Sequence, residues 1–171
     1  MKPSFWHRVD RFARDLTPFA LTFVLLVIGA IPFHIPGFAQ VAPMLPLIGI
    51  YFWAVYRPDL MPAAAVFLIG IIHDFLSGLP VGVSALIFLL VLGAALAQRS
   101  FFSGKSFVIV WIGFVFVAAG ALALEWLLLS IVTGELIQAR SAIYQFGLTV
   151  AVFPVLSWMF TRWQQAFLQT S

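Results

Sequence analysis

Six continuous apolar segments, separated by short polar or glycine- and proline-rich breaks, make up most of this 171-residue chain. They cover residues 17–33, 41–56, 60–76, 83–97, 106–132 and 143–160. A helix needs about 20 apolar residues to cross the hydrocarbon core of a bilayer, with a tolerated range of about 17–25. The segments do not alternate in polarity, as transmembrane strands would. We therefore predict an all-α polytopic membrane protein with about six transmembrane helices.

The composition agrees with a membrane environment. Hydrophobic residues make up 63% of the chain and charged residues only 9%, whereas a typical soluble domain is about 45–50% apolar and about 25% charged. A soluble fold of this size would expose large apolar patches to water and would aggregate. Soluble enzymes, nucleic-acid-binding proteins and disordered proteins are therefore excluded. Because the chain has no cysteine, disulfides, thiolate nucleophiles and cysteine-ligated metal sites are excluded as well.

Two of the six segments are short for a full crossing. Residues 41–56 and 83–97 fall below the tolerated range, and the former contains two prolines. We expect these segments to be kinked or embedded among neighbouring helices. The main alternative has five crossings, with 41–56 re-entrant or lying at the membrane interface. The long segment 106–132 is expected to tilt, or to bend near Gly120.

The nine basic residues fall almost entirely on one side of the predicted bundle. With a cytoplasmic N-terminus, eight of them occupy cytoplasmic segments and only Arg140 lies outside. Because basic residues favour the cytoplasmic side of a membrane, both termini are expected to be cytoplasmic. The chain then consists of a basic cytoplasmic segment (1–16), a single transmembrane helical domain (17–160) and a cytoplasmic tail (161–171). The first segment either lies on the inner leaflet as an amphipathic piece or forms a solvated tail.

Three ionisable residues fall inside or at the ends of the apolar segments, namely His73, Asp74 and Glu125. An ionisable side chain in hydrocarbon is unfavourable unless it is paired or close to the surface, so each of them is a candidate functional residue. In the six-helix arrangement all three lie towards the outer side of the membrane. One face of the third helix carries Gly70, Asp74, Ser77 and Gly78, because residues three and four apart are neighbours on a helix.

Simpler interpretations of these residues stay open. Asp74 is close to a helix end, where headgroup water could solvate it as a cap or anchor. Glu125 could serve packing alone, and His73 could be an interfacial residue. The chain has no nucleophile motif, and its histidines lack metal-ligand spacing. No catalytic residue, cofactor site or metal site is therefore predicted.

Two neighbouring blocks of sequence carry a family resemblance. Residues 43–53 read Pro-Met-Leu-Pro-Leu-Ile-Gly-Ile-Tyr-Phe-Trp and lead into the Arg-Pro-Asp turn at 57–59. Residues 70–82 then contain glycines and one acid at four-residue intervals, Gly70, Asp74, Gly78 and Gly82. This pattern resembles the MreD family of bacterial rod shape-determining proteins. The diagnostic residues lie within 43–82, while chain length and the number of apolar segments also fit.

The resemblance implies a non-enzymatic subunit of the machinery that elongates rod-shaped bacteria, located in the inner (cytoplasmic) membrane. The implied partners are an MreC-like bitopic membrane protein and, directly or indirectly, the peptidoglycan synthase complex and cytoplasmic MreB filaments. Membrane lipid is a further expected contact, and nucleic acid is not. No cofactor is implied.

The resemblance also implies a fold similar to the six-helix substrate-binding subunits of energy-coupling-factor transporters. A second hypothesis therefore stays open, a membrane subunit that binds a vitamin-type small molecule or a lipid for transport. Under either hypothesis the candidate residues for partner or ligand interaction are Gly70, His73, Asp74, Gly78, Pro80, Gly82 and Glu125.

Overall fold

The computed structural model describes residues 5–31 and 34–167, most of which are helical. Seven α-helices follow one another within these residues: α1 (Phe5–Ala30), α2 (Phe38–Val41), α3 (Leu45–Tyr56), α4 (Ala63–Ser77), α5 (Val83–Phe102), α6 (Phe107–Thr133) and α7 (Ala139–Phe167). One turn of 3₁₀ helix, Pro58–Leu60, separates α3 from α4. The described part of the chain contains no strand.

Helix length and composition agree with the predicted fold class. Helices α1, α5, α6 and α7 are long and apolar enough to cross a membrane, and α3 and α4 are shorter apolar helices. The segment 83–97, which looked short in the sequence, belongs to the 20-residue helix α5. The prediction of an all-α polytopic membrane protein with about six helices is confirmed.

Some helices extend beyond the apolar segments that predicted them. Helix α1 begins at Phe5 and passes without a break from the expected cytoplasmic segment into the first apolar segment, and α7 covers Ala139–Phe167. An apolar run marks the part of a helix suited to hydrocarbon, whereas Arg, Lys and Gln are good helix formers that continue the backbone hydrogen bonding beyond it. Residues 1–4 and 168–171 of the predicted terminal segments, and 32–33 of the first apolar segment, lie outside the described residues.

Helix α3 occupies the centre of the bundle. Ten of its twelve residues, Pro46 to Val55, are buried, and it contacts α1, α5 and α7. It runs antiparallel to α1, because Gly49 lies against Thr22 and Leu45 lies against Gly29. At about 1.5 Å per residue, α3 is roughly 18 Å long, which is shorter than a hydrocarbon core of about 30 Å. The expectation that this short segment is embedded among its neighbours is therefore confirmed.

An aromatic cluster joins α3 to α6 and α7. The Tyr51 hydroxyl donates a hydrogen bond of 3.1 Å to the carbonyl oxygen of Val110. Its ring centroid lies 5.2 Å from that of Phe114 and 5.9 Å from that of Phe153. The rings of Phe114 and Phe153 stack at 4.1 Å. Such ring pairs stabilise a core beyond simple area burial, and this cluster fixes α6 and α7 relative to the central helix.

Candidate functional site

The predicted site residues gather at one end of the bundle. We call it the distal end, defined by the α4–α5 turn (78–82) and the α6–α7 connection (134–138). Five of the seven residues build the α4–α5 hairpin, namely Gly70, Asp74, Gly78, Pro80 and Gly82. The other two, His73 and Glu125, line a cavity beside the hairpin. We call this space the distal cavity.

Asp74 joins the two helices of the hairpin. Its side chain is fully buried. One carboxylate oxygen accepts a hydrogen bond of 2.8 Å from the backbone N–H of Gly82, and the other accepts one of 3.0 Å from the backbone N–H of Ser84. Ser84 is the second residue of α5, where backbone N–H groups have no partner within the helix. Asp74 therefore caps α5 from the preceding helix, and its negative charge suits the positive end of the helix dipole. The simpler interpretation of Asp74 as a helix cap therefore holds, whereas its solvation by headgroup water does not, because the side chain is buried.

The glycines of the four-residue pattern shape the same hairpin. Gly78 ends α4 with a φ of 67°, and Gly82 precedes α5 with a φ of 103°. Side chains with a Cβ disfavour positive φ, so glycine suits both positions. Gly70 serves a different purpose, since a methyl group there would lie only 2.7 Å from the amide nitrogen of Ala85. The backbones of α4 and α5 are therefore in direct contact one turn before Asp74.

His73 connects the hairpin to the cavity. Its Nδ1 atom lies 2.9 Å from the Ser84 hydroxyl oxygen, which is hydrogen-bonding distance. Its ring centroid lies 5.5 Å from that of Phe88 on α5. The side chain is half-buried and lines the distal cavity. His73 is thus held against α5 while one part of it faces open space.

The distal cavity has a volume of about 570 Å³ and is bounded by α1, the segment leading into α3, α4, α6 and α7. Small-molecule sites typically measure about 300–1,000 Å³ and combine apolar walls with a few polar groups. The polar lining residues are His73, Ser77, Glu125, Gln138, Ser141 and Gln145. Leu26, Met44, Leu122 and Leu129 are among the apolar ones. The cavity thus has the size and the mixed lining of a ligand site.

Glu125 is the buried acid of this cavity. It is 7% exposed and lines the cavity from α6. Within residues 5–31 and 34–167, no hydrogen bond or salt bridge reaches its carboxylate. In the same part of the chain, no three of His, Cys, Asp and Glu come close enough together to hold a metal ion. The cavity chemistry therefore centres on one unpaired carboxylate.

Residues 11–170 match the family described as rod shape-determining protein MreD. The chain belongs to the MreD family. It is therefore a rod shape-determining, multi-pass membrane protein. The MreD family is a structural family and is not a known family of enzymes. No curated protein and no solved structure matches the chain. The similarity to substrate-binding subunits of energy-coupling-factor transporters therefore stays a prediction.

The MreD match covers nearly the whole chain and so includes α6 and α7, which lie beyond the diagnostic residues 43–82. Four further cavity residues were not among the predicted site residues. They come from α6, from the end of the α6–α7 connection and from α7: Trp126, Gln138, Ser141 and Gln145. The last three recur at i, i+3 and i+7, which places them on one face of the chain where α7 begins. That spacing was detectable, but the sequence does not indicate that this face meets Glu125.

Proposed function

We propose that this MreD-family protein is a non-enzymatic subunit of the machinery that elongates rod-shaped cells. It lies in the bacterial inner membrane with both termini in the cytoplasm. It helps to couple an MreC-like bitopic partner and cytoplasmic MreB filaments to peptidoglycan synthesis, through direct or indirect contacts. The observation that carries the proposal is the family match over residues 11–170.

The α4–α5 turn is the proposed contact for the MreC-like partner. Val81 in this turn is 59% exposed, and Pro80 beside it is half-buried. The buried carboxylate of Asp74 accepts a hydrogen bond from the backbone N–H of Gly82, at the end of the turn that leads into α5. Asp74 then acts on the partner by fixing the shape of the turn, and the apolar side chain of Val81 makes the contact.

Depletion of the protein in its host tests the proposed role. Rod-shaped cells should become round, and new wall material should be inserted in a dispersed pattern, because filaments and synthases lose their connection. Restoration of the wild-type chain should restore rods and the copurification of the MreC-like partner. Cells that keep their shape while losing uptake of a vitamin would favour the transport hypothesis instead.

A pair of loop variants tests the proposed contact. Val81→Asp should abolish partner copurification and rod shape at near-normal abundance in the membrane, because it places a charge on the contact surface. Ile35→Asp is the matched control, since Ile35 is 61% exposed in another connection at the distal end. Equal complementation by the two variants would remove the turn from the partner contact.

The proposed orientation is testable because the chain has no native cysteine. A cysteine in place of Ser103 should resist an impermeant maleimide in intact cells, because that connection lies on the cytoplasmic side. A cysteine in place of Gln138 should react. The tail position Thr170, outside the described residues, should resist labelling, and its reaction from outside would contradict the even number of crossings.

A further inference from the structure

The distal cavity contains a buried acid that no described residue neutralises. Glu125 is only 7% exposed, and no hydrogen bond or salt bridge from the described residues reaches its carboxylate. A buried charge without a partner is strongly unfavourable in a membrane protein, so such residues are kept where they bind something. The shape-determining role proposed above does not use this carboxylate.

The surroundings of Glu125 favour a positive charge. None of the described residues that line the cavity is a Lys or an Arg. The basic residue near the α7 wall, Arg140, lies outside the lining, with its guanidinium 5.7 Å from the Tyr144 ring centroid. No Lys or Arg among the described residues therefore supplies the cation that this site attracts. The one ionisable base in the lining, His73, lies with its Nδ1 atom 2.9 Å from the Ser84 hydroxyl oxygen.

The other walls of the cavity combine an aromatic ring, amide groups and leucine side chains. Trp126 lines the cavity next to Glu125, and its indole N–H donates a hydrogen bond of 2.8 Å to the carbonyl oxygen of Ile137. That bond holds the ring in the wall, where an aromatic face attracts a cation. Gln138 and Gln145 add amide groups, and leucines from α1 and α6 form the apolar part.

We propose that the distal cavity binds a ligand that carries a primary ammonium group on an apolar body, with Glu125 pairing with the ammonium. Two sources supply this chemistry, a free amine and the ethanolamine headgroup of a phospholipid. The inference does not depend on the proposed shape-determining function, because it rests on the cavity alone.

Binding is tested on the purified full chain with two sets of probes. Phenethylamine, 2-phenylethanol and phenylacetate are similar in size and differ in charge, and their affinities are measured by calorimetric titration in a neutral detergent. Phosphatidylethanolamine and phosphatidylglycerol are compared by native mass spectrometry of the retained lipid. We expect the member of at least one set that carries an ammonium group to bind in preference. Phenethylamine preference indicates a free amine, and retention of phosphatidylethanolamine alone indicates the lipid.

Two variants and a control assign the binding to the cavity. Glu125→Gln should weaken binding about 10- to 100-fold, as the loss of a bond to a charged group does. Glu135→Gln should leave it unchanged, because Glu135 is exposed and does not line the cavity. Ala142→Trp fills the cavity without changing its charge and should abolish binding. This second variant keeps the proposal testable if Glu125→Gln does not fold. No preference for either probe that carries an ammonium group, or wild-type binding by Glu125→Gln or by Ala142→Trp, would overturn the proposal.

Discussion

The α4–α5 hairpin and the distal cavity each contain one buried carboxylate, and the two are used in different ways. Asp74 has both oxygens bonded to backbone N–H groups of the chain itself. Glu125 has no such bond from any described residue. The hairpin therefore uses its charge to hold two helices together, whereas the cavity leaves its charge available to something else.

This difference shows that depth in the membrane does not assign a function to an acid. Both carboxylates were candidates because an ionisable side chain in hydrocarbon needs a reason to be there. For Asp74 the reason lies within the fold, as the cap of a helix end. For Glu125 we infer that the reason lies in a ligand. The two roles therefore follow from the hydrogen bonds that the two carboxylates accept, and not from residue type.

The largest expected effect on stability comes from a substitution in the hairpin, at Gly70, and it is compared with the same substitution in the cavity wall, at Gly29. Gly70→Ala should lower the free energy of unfolding by about 3 kcal/mol or more, because the new methyl group meets the backbone of Ala85 and the helices must separate. Gly29→Ala in the cavity wall is the control. Its Cβ would meet only the Leu45 side chain, at an ordinary distance of 3.9 Å. Thermal unfolding in detergent checks both, and equal midpoints would contradict the close approach of α4 and α5.

The next effect compares the two acids directly. Asp74→Asn should lower the free energy of unfolding by about 1–3 kcal/mol, because the amide has one acceptor oxygen and leaves one buried backbone N–H without a partner. Glu125→Gln should leave the ligand-free chain equally stable or make it more stable, because it removes an unpaired buried charge.

Thermal unfolding of the two acid variants in the same detergent, without added amine or ethanolamine lipid, checks this comparison. Asp59→Asn is a control for loss of an acid, since Asp59 is exposed and 3.7 Å from Arg57 in a surface ion pair, which contributes little. A drop in midpoint for Glu125→Gln as large as that for Asp74→Asn would mean that Glu125 is also satisfied within the fold.

The hairpin was more predictable from the sequence than the cavity. The hairpin residues lie within 13 positions of each other, from Gly70 to Gly82, so helix spacing alone groups them. The cavity joins residues as distant as Leu26 and Gln145, and no local pattern brings five segments together. Helix ends were missed for another reason, since an apolar run records contact with hydrocarbon and not the end of backbone hydrogen bonding.

The smallest effect tests whether the two regions act independently. Gly82→Ala should lower the free energy of unfolding by about 1–2 kcal/mol, because Gly82 has a φ of 103° and a Cβ disfavours positive φ. Amine or lipid binding should be unchanged, since Gly82 does not line the cavity. Gly104→Ala is the control, because it also places a Cβ at a positive φ, 73°, but in the connection between α5 and α6. It should lose similar stability and also bind normally.

If Gly82→Ala weakened binding as much as Glu125→Gln while Gly104→Ala did not, the hairpin would control the cavity, and the contact of His73 with Ser84 would be the connection to examine.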